Sequence, residues 1–224
     1  IGWDGDGDRV ALVDETGRFV SADEMAVVLA RHLLEAAPGG KIVYDLKLSD
    51  VLRQVIGNAG GIPVMERSGH TFIKTRMIRE NGLLGCEASG HYFLRELGGG
   101  DDGLFAAFLV SDMVARRGSL ARLRTTVPPF FLTPDIRVRG SGLSYSDAAA
   151  RLRKLPGIVE MVTIDGLRLE TADGFVLIRE SVTESALTLR LEGRDAGGLS
   201  RLTAACRKLF PEFARSLLKK PWAG

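Results

Sequence analysis

The sequence predicts an α/β chain in two parts: a βαβ layered domain, then a small α+β domain with an antiparallel sheet. Three observations carry that prediction. Strand-like and helical runs alternate through the first half. Three prolines, Pro128, Pro129 and Pro134, break the alternation near residue 130. Beyond them a single helical run is followed by four strand-like runs with no helix between them.

In chain order, residues 1–3 read as the end of a strand and residues 4–8 as an acidic glycine loop. Residues 10–13 and 18–20 read as a hairpin around the turn-rich Asp14-Glu15-Thr16-Gly17. Ser21 with Glu24 three residues on is a capping box, so a helix starts there. It runs to about Ala37 and stops at Pro38-Gly39-Gly40. Residues 41–46 are strand-like, Ser49 caps a helix to about Asn58, and residues 62–66 are strand-like. Residues 71–81 read as helix with Gly82 as the stop. Residues 83–86 lead into a loop at 87–91, a short strand at 92–95, a flexible loop at 98–100 and a long helix over 101–117. Past the prolines, residues 136–138 are strand and 146–155 helix. Strands follow at 159–164, 167–170, 175–179 and 187–192, with helices over about 199–218. A layered fold of the first kind places ligands on loops at the carboxyl ends of its strands. The opening strand has no neighbour before it, so the protein is expected to extend upstream.

A chain of 224 residues has room for a sizeable core in each part. The formal net charge is only +2 and the basic residues are scattered along the sequence, which argues against a nucleic-acid partner. Cys86 and Cys206 match no metal spacing and read as reduced, structural thiols of a cytoplasmic protein. No apolar run approaches the roughly 18 residues of a membrane helix, and nothing reads as a signal peptide, so no membrane partner is expected.

The acidic loop carries Asp4, Asp6 and Asp8 at alternate positions with glycines between them. Alternation in a tight loop can turn all three carboxylates onto one point, and glycine lets the backbone fold that closely. Three like charges so close repel without a cation, and hard oxygen donors suit Mg²⁺. Two other readings use the same residues. An EF-hand loop would take Asp4, Asp6, Asp8 and Glu15, but Arg9 stands at its glycine position and the flanks read as strand. A haloacid-dehalogenase-like phosphatase would use Asp4 as nucleophile and Asp6 as acid–base, with Asp101-Asp102 as the late acidic pair.

Asp4-Gly-Asp-Gly-Asp-Arg9 resembles the metal loop of the α-D-phosphohexomutase superfamily. Three further segments follow in that family's order. Residues 68–74, Ser-Gly-His-Thr-Phe-Ile-Lys, are similar to the Gly-His-x-x-Ile-Lys segment of its phosphomannomutase/phosphoglucomutase branch. Residues 87–91, Glu-Ala-Ser-Gly-His, match its sugar loop. Residues 179–185 resemble its final Arg-x-Ser-x-Thr phosphate loop, with Val182 and Ser185 where many members carry Gly and Pro. Asp101-Asp102-Gly103, opening a helix, also fits.

The resemblance implies reversible phosphoryl transfer between the 1- and 6-hydroxyls of a hexose. It implies residues 1–20 as the tail of a second domain, 21–123 as a third, 124–131 as a linker and 132–224 as a fourth. The N-terminal domains of the same protein, one bearing a phosphoserine, would be its partners. The cofactors implied are Mg²⁺ on Asp4, Asp6 and Asp8, and hexose 1,6-bisphosphate as activator and intermediate. The substrate would be a hexose phosphate, gripped by Glu87 and Ser89 on the sugar hydroxyls, with His91 beside them. Arg179, Ser181 and Thr183 would hold the phosphate that is not reacting; Arg190 and Arg194 would add positive potential. His70, Lys74 and Arg9 would act at the reacting centre. His70 and Lys74 lie four apart, on one helical face if the helix begins near Gly69. A chain without the phosphoserine loop is expected to be inactive alone. A non-catalytic sugar-phosphate or metal-binding module is the remaining alternative.

Overall fold

The computed structural model describes residues 1–139, 142–181, 186–218 and 222–223. The chain falls into two compact units, Ile1–Pro128 and Pro129–Gly224.

The first unit opens with strands β1 (Gly2–Trp3), β2 (Val10–Val13) and β3 (Phe19–Val20), paired antiparallel in that order. The carboxylate loop joins β1 to β2, so strand and not helix flanks it, and the EF-hand reading falls. Helix α1 (Ala22–Ala36) starts at Ser21 as expected. The Ser21 backbone N–H donates to Glu24 at 2.8 Å, and the Glu24 N–H donates to the Ser21 hydroxyl at 3.2 Å.

A five-stranded sheet follows. It contains β4 (Lys41–Asp45), β5 (Ile62–Glu66), β6 (Leu84–Cys86), β7 (Tyr92–Leu94) and β8 (Gly100–Asp101), in the order β5-β4-β6-β7-β8. Helices α2 (Asp50–Asn58), α3 (His70–Glu80), α4 (Gly103–Arg117) and α5 (Leu120–Arg124) complete the unit. Strand β4 is central, with β5 and β6 parallel to it on either side. Its register sets Tyr44 opposite both Met65 and Cys86, so the loops after all three strands leave from one edge of the sheet. Val43, Ile73, Met77 and Phe93 pack together beneath those loops.

Boundaries in this unit differ from the sequence reading at several places. The left-handed residue that ends α3 is Asn81, at φ 50°, one position before the expected glycine. Asp101 lies in β8, and α4 begins after Asp102, whose carboxylate takes the Phe105 N–H at 2.9 Å. Arg124, read as the first linker residue, instead ends α5 and is buried.

The second unit is one antiparallel sheet with helices on its apolar side. Its strands are β9 (Phe131–Leu132), β10 (Ile136–Arg139), β11 (Ile158–Val162), β12 (Leu167–Thr171), β13 (Gly174–Glu180), β14 (Ala186–Gly193) and β15 (Trp222–Ala223). Helices α6 (Tyr145–Leu152) and α7 (Ala196–Leu209) close over Leu167, Leu169, Val176, Ile178, Leu189 and Leu191. Helix α7 starts three residues earlier than its apolar pattern suggests, because Asp195 caps the Gly198 N–H at 2.7 Å.

Each unit holds one cysteine, Cys86 in β6 and Cys206 in α7, both buried and free. Among the described residues no helix is long and apolar enough to cross a membrane.

Candidate active site

Asp4, Asp6 and Asp8 each bring an oxygen within 4.8 Å of the others, as their alternation suggests. Arg9, expected at the reacting centre, is committed to this loop. Its Nε and Nη2 each reach Asp4 at 2.5 Å, and its backbone N–H adds a bond at 3.2 Å. Partial desolvation works against the Asp4 charge, but these Arg9 bonds outweigh it and hold the carboxyl below its usual range. Both Asp4 oxygens thereby accept from Arg9, Oδ2 from the guanidinium and Oδ1 from the backbone N–H.

The loop is docked from behind. The Gly103 N–H at the start of α4 donates to the Gly7 carbonyl at 3.0 Å. A Cβ at Gly103 would sit 2.8 Å from the Gly7 oxygen and from the Arg9 carbonyl carbon and oxygen, so only glycine fits this approach. The Val10 N–H reaches the Gly90 carbonyl at 3.4 Å, which joins the acidic loop to the 87–91 loop.

His91 links the two further. Its Nε2 lies 3.4 Å from Asp8 and 4.0 Å from Asp101, and its Nδ1 lies 3.6 Å from Glu87. The Ser89 hydroxyl shares a hydrogen bond with the same Nδ1 at 2.7 Å. Glu87, Ser89 and His91 therefore converge, held by a turn in which the Glu87 N–H donates to the His91 carbonyl at 3.0 Å. Burial pushes the Glu87 carboxyl up, the Asp45 charge adds to this, and His91 opposes it.

His70 opens α3 and turns its Nε2 to the Asp101 carboxylate, at 2.9 and 3.0 Å to its two oxygens. Its ring meets His91 and Phe93 edge-on, with centroids 5.6 and 5.0 Å away. Lys74 follows one turn along α3, half-buried, with no ion-pair partner among the described residues. A second set of possible ligands, Asp8, His91 and Asp101, also lies within 4.8 Å.

Two residues here escaped the sequence reading. Asp101 was noted as part of a helix start, not as the partner of His70. Asp45 belongs to none of the sequence motifs. It is fully buried at the end of β4 and accepts the Ser68 hydroxyl at 2.8 Å. It also accepts the backbone N–H groups of Lys47 at 2.9 Å and Ala88 at 3.3 Å. One carboxylate thus holds together the loops after β4, β5 and β6. Its signal was an acidic residue at the carboxyl end of a central strand.

In the second unit, Arg179 is the penultimate residue of β13, which ends at Glu180 with Ser181 just beyond it. Arg179 is buried and pairs with Asp165 at 2.9 Å, while the Ser181 N–H donates to the Ala186 carbonyl at 2.9 Å. Arg190 is engaged by Asp135 at 3.0 Å. Thr183 lies outside the described residues.

The chain is similar to known proteins over most of its length. Residues 21–130 match the family model described as phosphoglucomutase/phosphomannomutase, alpha/beta/alpha domain III. Residues 137–209 match the one described as phosphoglucomutase/phosphomannomutase, C-terminal domain. The chain is 32% identical over 207 residues to a phosphoglucomutase of Neisseria meningitidis, covering 90% of this chain and 45% of that protein. It is 33% identical over 220 residues to a phosphomannomutase/phosphoglucomutase of Pseudomonas syringae, covering 95% of this chain and 47% of that one. A crystal structure of a family protein from Burkholderia thailandensis superposes with a TM-score of 0.84 at 30% identity, covering 99% of this chain and 47% of that one. An N-acetylphosphoglucosamine mutase of Aspergillus fumigatus, solved with GlcNAc-6P and magnesium, superposes with a TM-score of 0.71 at 16% identity, covering 95% of this chain and 48% of that one. The chain spans about half the length of the curated relatives it matches.

Proposed function

The chain belongs to the phosphoglucomutase/phosphomannomutase family, and from that premise we propose that it supplies the sugar, metal and distal-phosphate contacts of a phosphohexomutase. The reaction is the interconversion of hexose 1-phosphate and hexose 6-phosphate through a hexose 1,6-bisphosphate. The observation that supports this reading most is the single network joining Asp8, His91, Ser89, Glu87, Asp101 and His70. It brings acceptors, a hydroxyl and two imidazoles to one place, the mixed set that sugar hydroxyls require.

In this reading Glu87 and Ser89 accept from and donate to hydroxyls of the ring. His70, oriented by Asp101, positions the attacking hydroxyl or carries its proton. Lys74 balances charge on the phosphoryl oxygens. Arg179 and Ser181, with Thr183, hold the phosphate at the far end of the sugar. Asp4, Asp6 and Asp8 present only hard oxygens and fit Mg²⁺; Arg9 occupies Asp4 and must share or yield it. Bound there, Mg²⁺ would neutralise charge on the phosphoryl in transit. The phosphoryl donor is a serine of the upstream domains, which these 224 residues do not include.

The test is a coupled assay of this chain joined to those domains. Glucose 1-phosphate or mannose 1-phosphate is supplied with Mg²⁺ and a trace of hexose 1,6-bisphosphate. Formation of the 6-phosphate is expected, falling by orders of magnitude in Asp6→Ala and Arg179→Ala. The isolated chain is expected to show no turnover. Phosphate release without 6-phosphate would overturn the mutase reading.

A further inference from the structure

The first unit has a second concavity that the mutase reading does not use. A cavity of about 570 Å³ lies among α1, α4 and α5, walled by Arg31, Arg116, Arg117 and Arg122, with Glu35 and the apolar Met113. No residue of the carboxylate loop, the 87–91 loop or the His70–Lys74 turn lines it.

Two of the arginines have a local explanation. Arg116 and Arg117 end α4, where positive charge offsets the helix dipole. Arg116 also pairs with Asp112 at 2.8 Å, and Arg117 grips both oxygens of Glu35. The other two have no carboxylate partner among the described residues, although Arg122 lies in the last turn of α5. Arg31 sits mid-helix in α1 and gives one N–H to the Thr126 carbonyl. The Arg122 guanidinium has no acceptor among the described residues, although its backbone N–H bonds Ser119 at 3.2 Å. Four guanidinium groups thus meet two carboxylates, which leaves net positive charge on a concave wall that concentrates its field. His32, beside Arg31, is pushed below the usual histidine range by burial and then by the Arg117 charge.

Guanidinium forks match phosphate and carboxylate oxygens, and the volume suits a ligand of sugar-phosphate or nucleotide size. We propose that this cavity is an anion site for an organic phosphate carrying two or more negative charges, separate from the phosphate loop of the second unit. The basic residues that line it come from residues 31, 116, 117 and 122, which is why they read as scattered along the sequence.

The experiment is an ATP and an inorganic pyrophosphate titration of the metal-free chain, followed by ¹⁵N-resolved NMR. Saturable shifts are expected at residues 28–35 and 113–126. Affinity is expected to fall at least tenfold in Arg31→Glu and in Arg122→Glu, two surface changes checked for fold by circular dichroism. Shifts confined to the neighbourhood of Arg179 and Ser181, or binding indifferent to both substitutions, would overturn the proposal. So would the absence of saturable binding by either anion.

Discussion

Gly103 shows how a single absent methyl group can set a site. Its backbone meets Gly7 and Arg9 so closely that any Cβ would stand 2.8 Å from them. Gly103→Ala is therefore expected to displace the carboxylate loop while leaving α4 helical. Mn²⁺ binding followed by electron paramagnetic resonance should weaken at least tenfold, with an unchanged far-ultraviolet spectrum. Glu87 gives a prediction of the opposite kind. Its carboxyl is raised by burial and by Asp45, so the folded chain holds that proton more tightly than the unfolded one. Stability from this group is present below the ordinary glutamate value and is lost as pH rises through the raised one. Glu87→Gln is accordingly expected to raise the melting temperature at pH 7 while the mutase assay loses activity. The alternation of Asp4, Asp6 and Asp8 and the spacing of Glu87, Ser89 and His91 were legible in the sequence, because neighbours in a tight loop are neighbours in space. The Asp101–His70 and Asp45–Ser68 contacts were not, because they join residues 31 and 23 apart.

Among the elements, the hairpin β2–β3, the start of α1 and the end of α5 meet at one buried guanidinium. Arg124 reaches Glu24 through Nε at 3.1 Å and Nη2 at 2.8 Å, and Asp14 through Nη1. Glu24 at the same time closes the α1 capping box. Removing one partner strands buried carboxylates, so Arg124→Ala is expected to cost about 3 kcal/mol, read as a lower urea midpoint. The Asp14 carboxyl is held far below its usual range, first by the Thr16 hydroxyl; burial opposes this, and the Arg18 N–H and Arg124 add to it. Its contribution is present above the ordinary aspartate value near pH 4 and is lost as pH falls through the depressed one. Asp14→Asn should therefore flatten the fall of the urea midpoint between pH 5 and pH 2. The caps at Ser21 and Ser49 were plain from residue type, because capping chemistry is local. The first turn of α7, with Gly197 and Gly198, precedes the apolar pattern by which the helix reads from sequence. Gly198 is required there because a Cβ would strike the Asp173 carbonyl at 2.4 Å.

At the scale of the molecule, a change of texture at the prolines was legible, and the compact units divide at Pro128–Pro129. The course of the five-stranded sheet was less so. Its β8 is two residues long and is specified by pairing with β7, not by any apolar pattern. One feature of both units lends itself to kinetics. Burial pushes the Cys86 thiol well above its ordinary range and the Cys206 thiol up to about 12, so neither is a ready thiolate in the native state. Each reacts only when its own unit opens. The chain therefore carries two independent clocks. With excess dithionitrobenzoate in mild urea, two labelling phases are expected. Cys86→Ala should remove one and Cys206→Ala the other, and Arg124→Ala should speed only the phase belonging to Cys86.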